Sequence, residues 1–242
     1  MPQDISGYDV GALLYCPANA HHTVAQAVAA ERLPRPFSLA LCLEDTVRAD
    51  ALAAAEQAVE QTLHHLTDAA RQETFYRHLT FVRVRSPEQL ARLGRAYGKY
   101  RPLLTGFILP KFFIETCGAY CAVIRDLQAD GLDYFYMPVF EAPSMLPLPT
   151  RHAALAEVKA QLDALRECIL NIRVGGNDLC HVFGLRRDPG HTIYDLRPVA
   201  DVLTDLLTTF APDYLVAGPV WEYYDGPGWA EGLAQECALD RL

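Results

Sequence analysis

Apolar residues fall into short runs separated by longer stretches of helical periodicity. The runs are Ala12 to Cys16, the LALCL that opens Leu39 to Val47, Leu79 to Val84, Gly106 to Leu109, Asp133 to Phe140, Ile169 to Val174 and Tyr214 to Ala217. Runs this short and this apolar predict strands covered on both faces, as in a parallel sheet. Between them, Leu52, Ala55, Val59, Leu63 and Leu66 form one stripe and predict a helix from Ala49 to Leu66. Ser86-Pro87-Glu88-Gln89 predicts a helix start, with Ser as cap, Pro in the first turn and Gln at the capping-box position. Further helices are predicted over Thr116 to Gln128, from Ala153 running into strand near Leu170, and through Val199, Val202, Leu203, Leu206 and Phe210. The Ala-rich segment after the first strand and the tail from Gly228 to Leu242 also read as helical.

Strand and helix alternate seven times, which predicts parallel strands with right-handed crossovers. The charged residues of interest follow strands two, three, four, five and six. An open doubly wound sheet gathers its site at one switch point. A βα barrel builds its site from many strand ends. The fold class is therefore α/β, a (β/α)8 TIM-type barrel whose eighth strand is missing, in one domain over residues 1–242.

Composition narrows the function. The 242 residues carry a net charge of −9, which argues against a nucleic-acid backbone as partner. No apolar run is long enough to span a bilayer, and the N-terminus has no signal-peptide pattern. The seven cysteines form no CxxC pair and read as reduced thiols of a cytoplasmic protein.

Candidate chemistry sits at the strand ends. Glu44 and Asp45 close the second run. Strand alternation turns one toward a site and the other toward backbone or a neighbouring loop, and Asp45 alternatively caps the following helix. Arg83 lies in an apolar strand and needs an anionic partner, either a fixed carboxylate or a substrate carboxylate or phosphate. Arg85 reads as an ordinary loop residue. Lys111 follows strand four and Glu141 strand five, where Glu141 reads as a metal ligand or as a carboxylate paired with Arg83 or Lys111. Gly175 and Gly176 read as positive-φ positions that let Asp178 turn inward over strand six. His21 and His22, near a helix start, read as surface residues or as metal or phosphate ligands. The aromatic run Trp221, Tyr223, Tyr224 and Trp229 reads as core, interface or lid.

The ordered series LCLEDTV, FVRVRSPE, GFILPKF, PVFEAP and IRVGGNDL resembles the citrate lyase beta-subunit-like branch of the HpcH/HpaI aldolase superfamily. The resemblance covers about residues 11 to 220. It implies a (β/α)8 barrel, a divalent metal (Mg²⁺ or Mn²⁺), and making or breaking of a C–C bond in small acidic substrates, often acyl-CoA thioesters. It implies Glu141 and Asp178 as metal ligands, and Glu44 and Asp45 as acids supporting the metal through water. It implies Arg83 as the grip on a substrate carboxylate, and gives Lys111, in the LPK segment, no defined role. It also implies a homo-oligomer, a trimer or hexamer. GGNDL stands where the family has GAEDL, and the family's C-terminal Gly-Lys and IHP segments have no counterpart, which leaves coenzyme A binding open. PVFEAP and VWEYYDGPGW resemble a divergent branch, TIM-barrel C–C bond lyases encoded near tellurite-resistance and stress genes.

The residue types fit this chemistry independently. Two carboxylates with waters make a hard oxygen site suited to Mg²⁺. A metal chelated by a keto acid stabilises an enolate. The general base is Glu44, Asp45 or a metal-bound water. Two rivals remain: a Schiff-base aldolase on Lys111, which needs that amine neutral, and a non-catalytic barrel that binds a metabolite or serves as an assembly subunit.

Overall fold

The structure is a computed structural model. It describes residues 5–32, 36–72, 75–186 and 191–219, and side chains throughout these except at 20–24. Seven parallel strands pair in chain order into one sheet. They are β1 (Leu13–Pro17), β2 (Ser38–Cys42), β3 (Thr80–Arg83), β4 (Leu104–Leu109), β5 (Phe135–Phe140), β6 (Ile172–Val174) and β7 (Val216–Ala217). The sheet curls into a partial TIM barrel, and the described residues hold no eighth strand. The helices are α1 (His21–Ala29), α2 (Leu52–Ala69), α3 (Pro87–Ala96), α4 (Cys117–Ala129), α5 (Leu148–Asp163), α6 (Gly176–Val182) and α7 (Arg197–Phe210).

Two apolar layers follow from strand alternation. Leu39, Leu41, Val82, Phe107, Leu109 and Phe140 pack outward against helix residues such as Val59, Leu63, Leu90, Ile124, Leu155 and Leu206. Ala40, Phe81, Ile108, Met137 and Val139 pack inward into a second cluster with Val10. Val10 belongs to a 3-10 turn, Gly7–Val10, whose carbonyl accepts from Ser38 Oγ at 2.7 Å. At Gly7 the chain passes so close to Leu170 that an added Cβ would lie 2.2 Å from its carbonyl oxygen. This turn covers the N-terminal ends of the strands, so the inner space opens at their C-terminal ends.

Several boundaries differ from expectation. β2 stops at Cys42: Leu43 N makes the last bond to β3, to Arg83 O at 3.0 Å, and the chain then turns, with Val47 N bonded to Glu44 O. α5 begins at Leu148, five residues before the expected Ala153, with Pro in its first turn, and ends at Asp163. Gly176 to Leu179, expected only as a tight turn that swings Asp178 inward, opens α6. In α3, Ser86 Oγ accepts from Gln89 N as expected, but the Gln89 side chain accepts from Arg85 N rather than from the cap residue's own amide. The tail helix and the aromatic run lie outside the described residues. His21 and His22 open α1, and their side chains lie outside those described.

Candidate active site

A cavity of about 340 Å³ opens at the C-terminal ends of the strands. Its lining includes Tyr15, Asp45, Arg83, Glu141, Arg173 and Asp178, from the ends of β1, β2, β3, β5 and β6. Arg83, Glu141 and Asp45 arrive where their strands stop, Asp178 in the first turn of α6, and Tyr15 and Arg173 from within β1 and β6.

Glu141 follows β5 directly and is 2% exposed. Its Oε1 accepts from Arg83 Nη2 at 2.8 Å and from the Lys111 backbone N–H at 3.2 Å. Lys111 holds φ +49°, a left-handed backbone unusual outside glycine, in the turn that donates this amide. Burial, then Asp178 and Glu44 nearby, push the Glu141 carboxyl up to about 8 against the pull of Arg83. Asp178 sits in the first turn of α6 and lies within hydrogen-bonding reach of Glu141.

Gly175 explains how the two carboxylates meet. Its φ is −90°, so the expected positive φ is not its role. An added Cβ would instead lie 2.1 Å from Glu141 Oε2. At Gly176, which also lacks the expected positive φ, an added Cβ would press on the tip of the Ile193 side chain at 2.6 Å and on Pro219 at 3.0 Å. Only glycine lets β6 lead into α6 while the Glu141 carboxylate rests on its backbone.

Glu44 and Asp45 both face this end of the barrel. Strand alternation does not divide them, because β2 has already ended at Cys42. Glu44 is buried and bridges two cations, Arg83 Nη2 at 2.7 Å and Lys111 Nζ at 2.6 Å. Asp45 is half-exposed, 3.5 Å from the same two nitrogens. It caps no helix: α2 is preceded by a 3-10 turn whose cap residue is Arg48. Burial raises the Glu44 carboxyl despite its shorter contacts. At Asp45 burial also raises, but the Glu44 hydrogen bond, Lys111 and Arg83 outweigh it and hold the carboxyl low.

The cations are held charged. Burial alone would lower Lys111, yet Glu44, Asp45 and Glu141 outweigh it and raise its pKa. The Schiff-base role for Lys111 therefore lacks a neutral amine. Arg83 meets fixed carboxylates, Glu44, Glu141 and Asp45, all through Nη2. Its buried Nε has no hydrogen-bond partner among the described residues.

Two residues were undervalued in the sequence. Arg85 is no ordinary loop residue: it donates to the carbonyls of Leu43 (2.6 Å), Glu44 (3.0 Å) and Val47, and so holds the turn that presents Glu44 and Asp45. Its position just past the strand, before a capped helix, was its only signal. Arg173 lines the cavity from β6; its place between apolar Ile172 and Val174 was the same signal that marked Arg83.

Among the described residues no group of three or more His, Cys, Asp or Glu side chains is disposed to hold a metal. The pair Glu141 and Asp178 is nevertheless the donor set a hard divalent cation takes, with waters completing the shell. Two carboxylates crowded at a buried strand end, one pushed up to about 8, fit a site that a cation relieves. The six described cysteines are free and buried. No described helix is long and apolar enough to cross a membrane.

Comparison with known proteins agrees with the fold. The model of the family described as C–C bond lyase of the TIM-barrel fold matches residues 4–242. The chain therefore belongs to that family, which bears out the resemblance. No curated protein matches. Among solved structures, citrate lyase beta subunit from M. tuberculosis, complexed with oxaloacetate and magnesium, is 20% identical with TM-score 0.57, covering 95% of this chain and 86% of that one. A complex of the Mycobacterium tuberculosis protein CitE with magnesium, acetoacetate and coenzyme A is 21% identical with TM-score 0.59, covering 93% and 70%. A Haloferax volcanii malate synthase with magnesium and glyoxylate is 11% identical with TM-score 0.65, covering 94% and 68%. At these identities the likeness is one of fold.

Proposed function

We propose that this chain, a C–C bond lyase family member of TIM-barrel fold, is a divalent-metal-dependent lyase or aldolase. Its substrate is a small keto acid or an acyl-CoA-type acid, and it works through a stabilised enolate. The observation that carries the reading is the meeting of Glu141 and Asp178 at the barrel mouth beside Arg83. Relatives of similar fold bound magnesium with oxaloacetate or glyoxylate, which supports the same class of ligand here.

Glu141 and Asp178 would hold Mg²⁺ or Mn²⁺, which when bound acts as a Lewis acid on the charge that develops as a C–C bond breaks or before it forms. The residues of the chain do the rest. Arg83 fixes Glu44 and Glu141 and offers positive charge to the substrate carboxylate. Lys111 holds the Glu44–Asp45 corner through its amine and Glu141 through its amide. Asp45 lines the cavity and is the carboxylate able to take a proton from a bound acid or water. The free buried thiols suit a reducing compartment, as the cytoplasm is. Self-association into a trimer or hexamer belongs to this proposal and is read by light scattering.

Enolate formation can be tested before the full substrate is known. With Mg²⁺ present, the wild type should exchange the methyl protons of pyruvate with deuterated solvent faster than buffer does, as followed by NMR. Chelation of the metal or the Glu141→Gln variant should remove that excess. No exchange with any α-keto acid would overturn the reading and favour a non-catalytic, metabolite-binding barrel.

A further inference from the structure

The cavity holds two guanidinium groups with different surroundings. Arg83 is bound to protein at one end: its Nη2 contacts Glu44, Asp45 and Glu141, while its Nε meets no partner among the described residues. Lys111 is likewise engaged by Glu44 and Asp45. Arg173 makes no hydrogen bond or ion pair with any described residue, although Glu141, Asp45 and Asp178 line the same cavity. It is half-buried. The strand residues on either side of it, Ile172 and Val174, are buried outward among the helices, so Arg173 turns inward.

Its level in the sheet is defined. Arg173 pairs in register with Val139 on β5 and with Ala217 on β7. Glu141 lies two residues beyond Val139, which puts Arg173 about 7 Å deeper along the strand direction. Tyr15, on the first strand, feels the charge of Arg173 and of Arg83. Arg173 therefore stands on the inner wall below the paired carboxylates. A guanidinium with no direct hydrogen-bond partner among the described residues in such a place is stabilised by an anionic oxygen group, which it can grip with two parallel hydrogen bonds. The cavity volume, about 340 Å³, suits a small ligand.

We propose that Arg173 binds a second, remote anionic group of the substrate, either a carboxylate or a phosphoryl-type group. The keto-acid end then lies at Glu141 and Asp178, and this placement rests on the metal-dependent reading above. The substrate is accordingly a short dianionic keto acid rather than a monocarboxylate. Arg173 is the residue that distinguishes the two.

Calorimetry with a matched series tests this: pyruvate, freshly prepared oxaloacetate and phosphonopyruvate, each titrated into wild type, Arg173→Gln and Arg173→Lys with Mg²⁺ present. The wild type should bind at least one dianion about tenfold or more tighter than pyruvate, since a hydrogen bond to a charged group carries that much. Arg173→Gln should lose the preference while its affinity for Mg²⁺ and for pyruvate stays unchanged. Arg173→Lys should recover part of it. Preference for oxaloacetate assigns a carboxylate, and preference for phosphonopyruvate a phosphoryl-type group. A wild type without preference, or an Arg173→Gln protein that keeps it, overturns the proposal. Repeating the series in EDTA separates the two readings. An Arg173-dependent preference without any Mg²⁺ binding removes the metal reading and leaves Arg173 as the anion anchor.

Discussion

At Gly175 a single missing methyl group decides whether Glu141 can sit where it does, since an added Cβ would lie 2.1 Å from its carboxylate oxygen. Gly175→Ala is expected to weaken Mg²⁺ binding by more than tenfold in calorimetry, and to cost about 1–3 kcal/mol of stability from overpacking. Unchanged metal affinity would show that the carboxylate position is not set there. Glu141 also predicts a pH dependence. Its folded pKa, about 8, lies above its ordinary 4.5, so the protonated form favours the fold. The stabilisation is full below about pH 4.5 and is lost as pH rises through about 8. Metal-free thermal melts should therefore fall across that window, and Mg²⁺ affinity should rise across it, because the metal needs the carboxylate. A flat melting profile together with flat Mg²⁺ affinity would contradict the assigned environment. Lys111 is held charged by its acids. Borohydride with a keto acid should trap no adduct on it, and mass spectrometry finding one would restore the Schiff-base route. The charged residues at the strand ends were legible individually. Their mutual pairing was not, because Glu44, Arg83, Lys111 and Glu141 are far apart in sequence and meet only once four strands lie side by side.

Among the elements, the turn after β2 matters most, and its geometry depends on a residue from the next strand. Arg85 donates to three of its carbonyls. Arg85→Gln should cost about 2 kcal/mol by loss of charged hydrogen bonds. It should also raise amide hydrogen exchange in residues 43–48 while the rest of the barrel keeps its protection. Uniform protection in the variant would show that the turn holds itself. Strand and helix identity could be read from period alone, as in the buried stripe Ala55, Val59, Leu63 and Leu66 of α2. Ends could not. β2 breaks off at Cys42 although apolar character continues through Leu43, and α6 starts on glycines because close packing, not helix propensity, sets that corner.

At the level of the whole molecule, seven parallel strands deliver their ends to one opening, and the turn Gly7–Val10 covers the opposite end. That arrangement collects four carboxylates and three cations in one mouth, where Glu44, Glu141 and Arg83 are buried and Asp45 and Lys111 reach solvent. The central claim is that Glu141 and Asp178 form a divalent cation site serving keto-acid chemistry. Calorimetric titration of Mg²⁺ into wild type, Glu141→Gln and Asp178→Asn, with and without oxaloacetate, tests it most directly. The account predicts binding by the wild type that tightens with the keto acid and is lost in both variants. A wild type that binds neither Mg²⁺ nor Mn²⁺ at millimolar concentration, or variants that bind as well as it does, would contradict it.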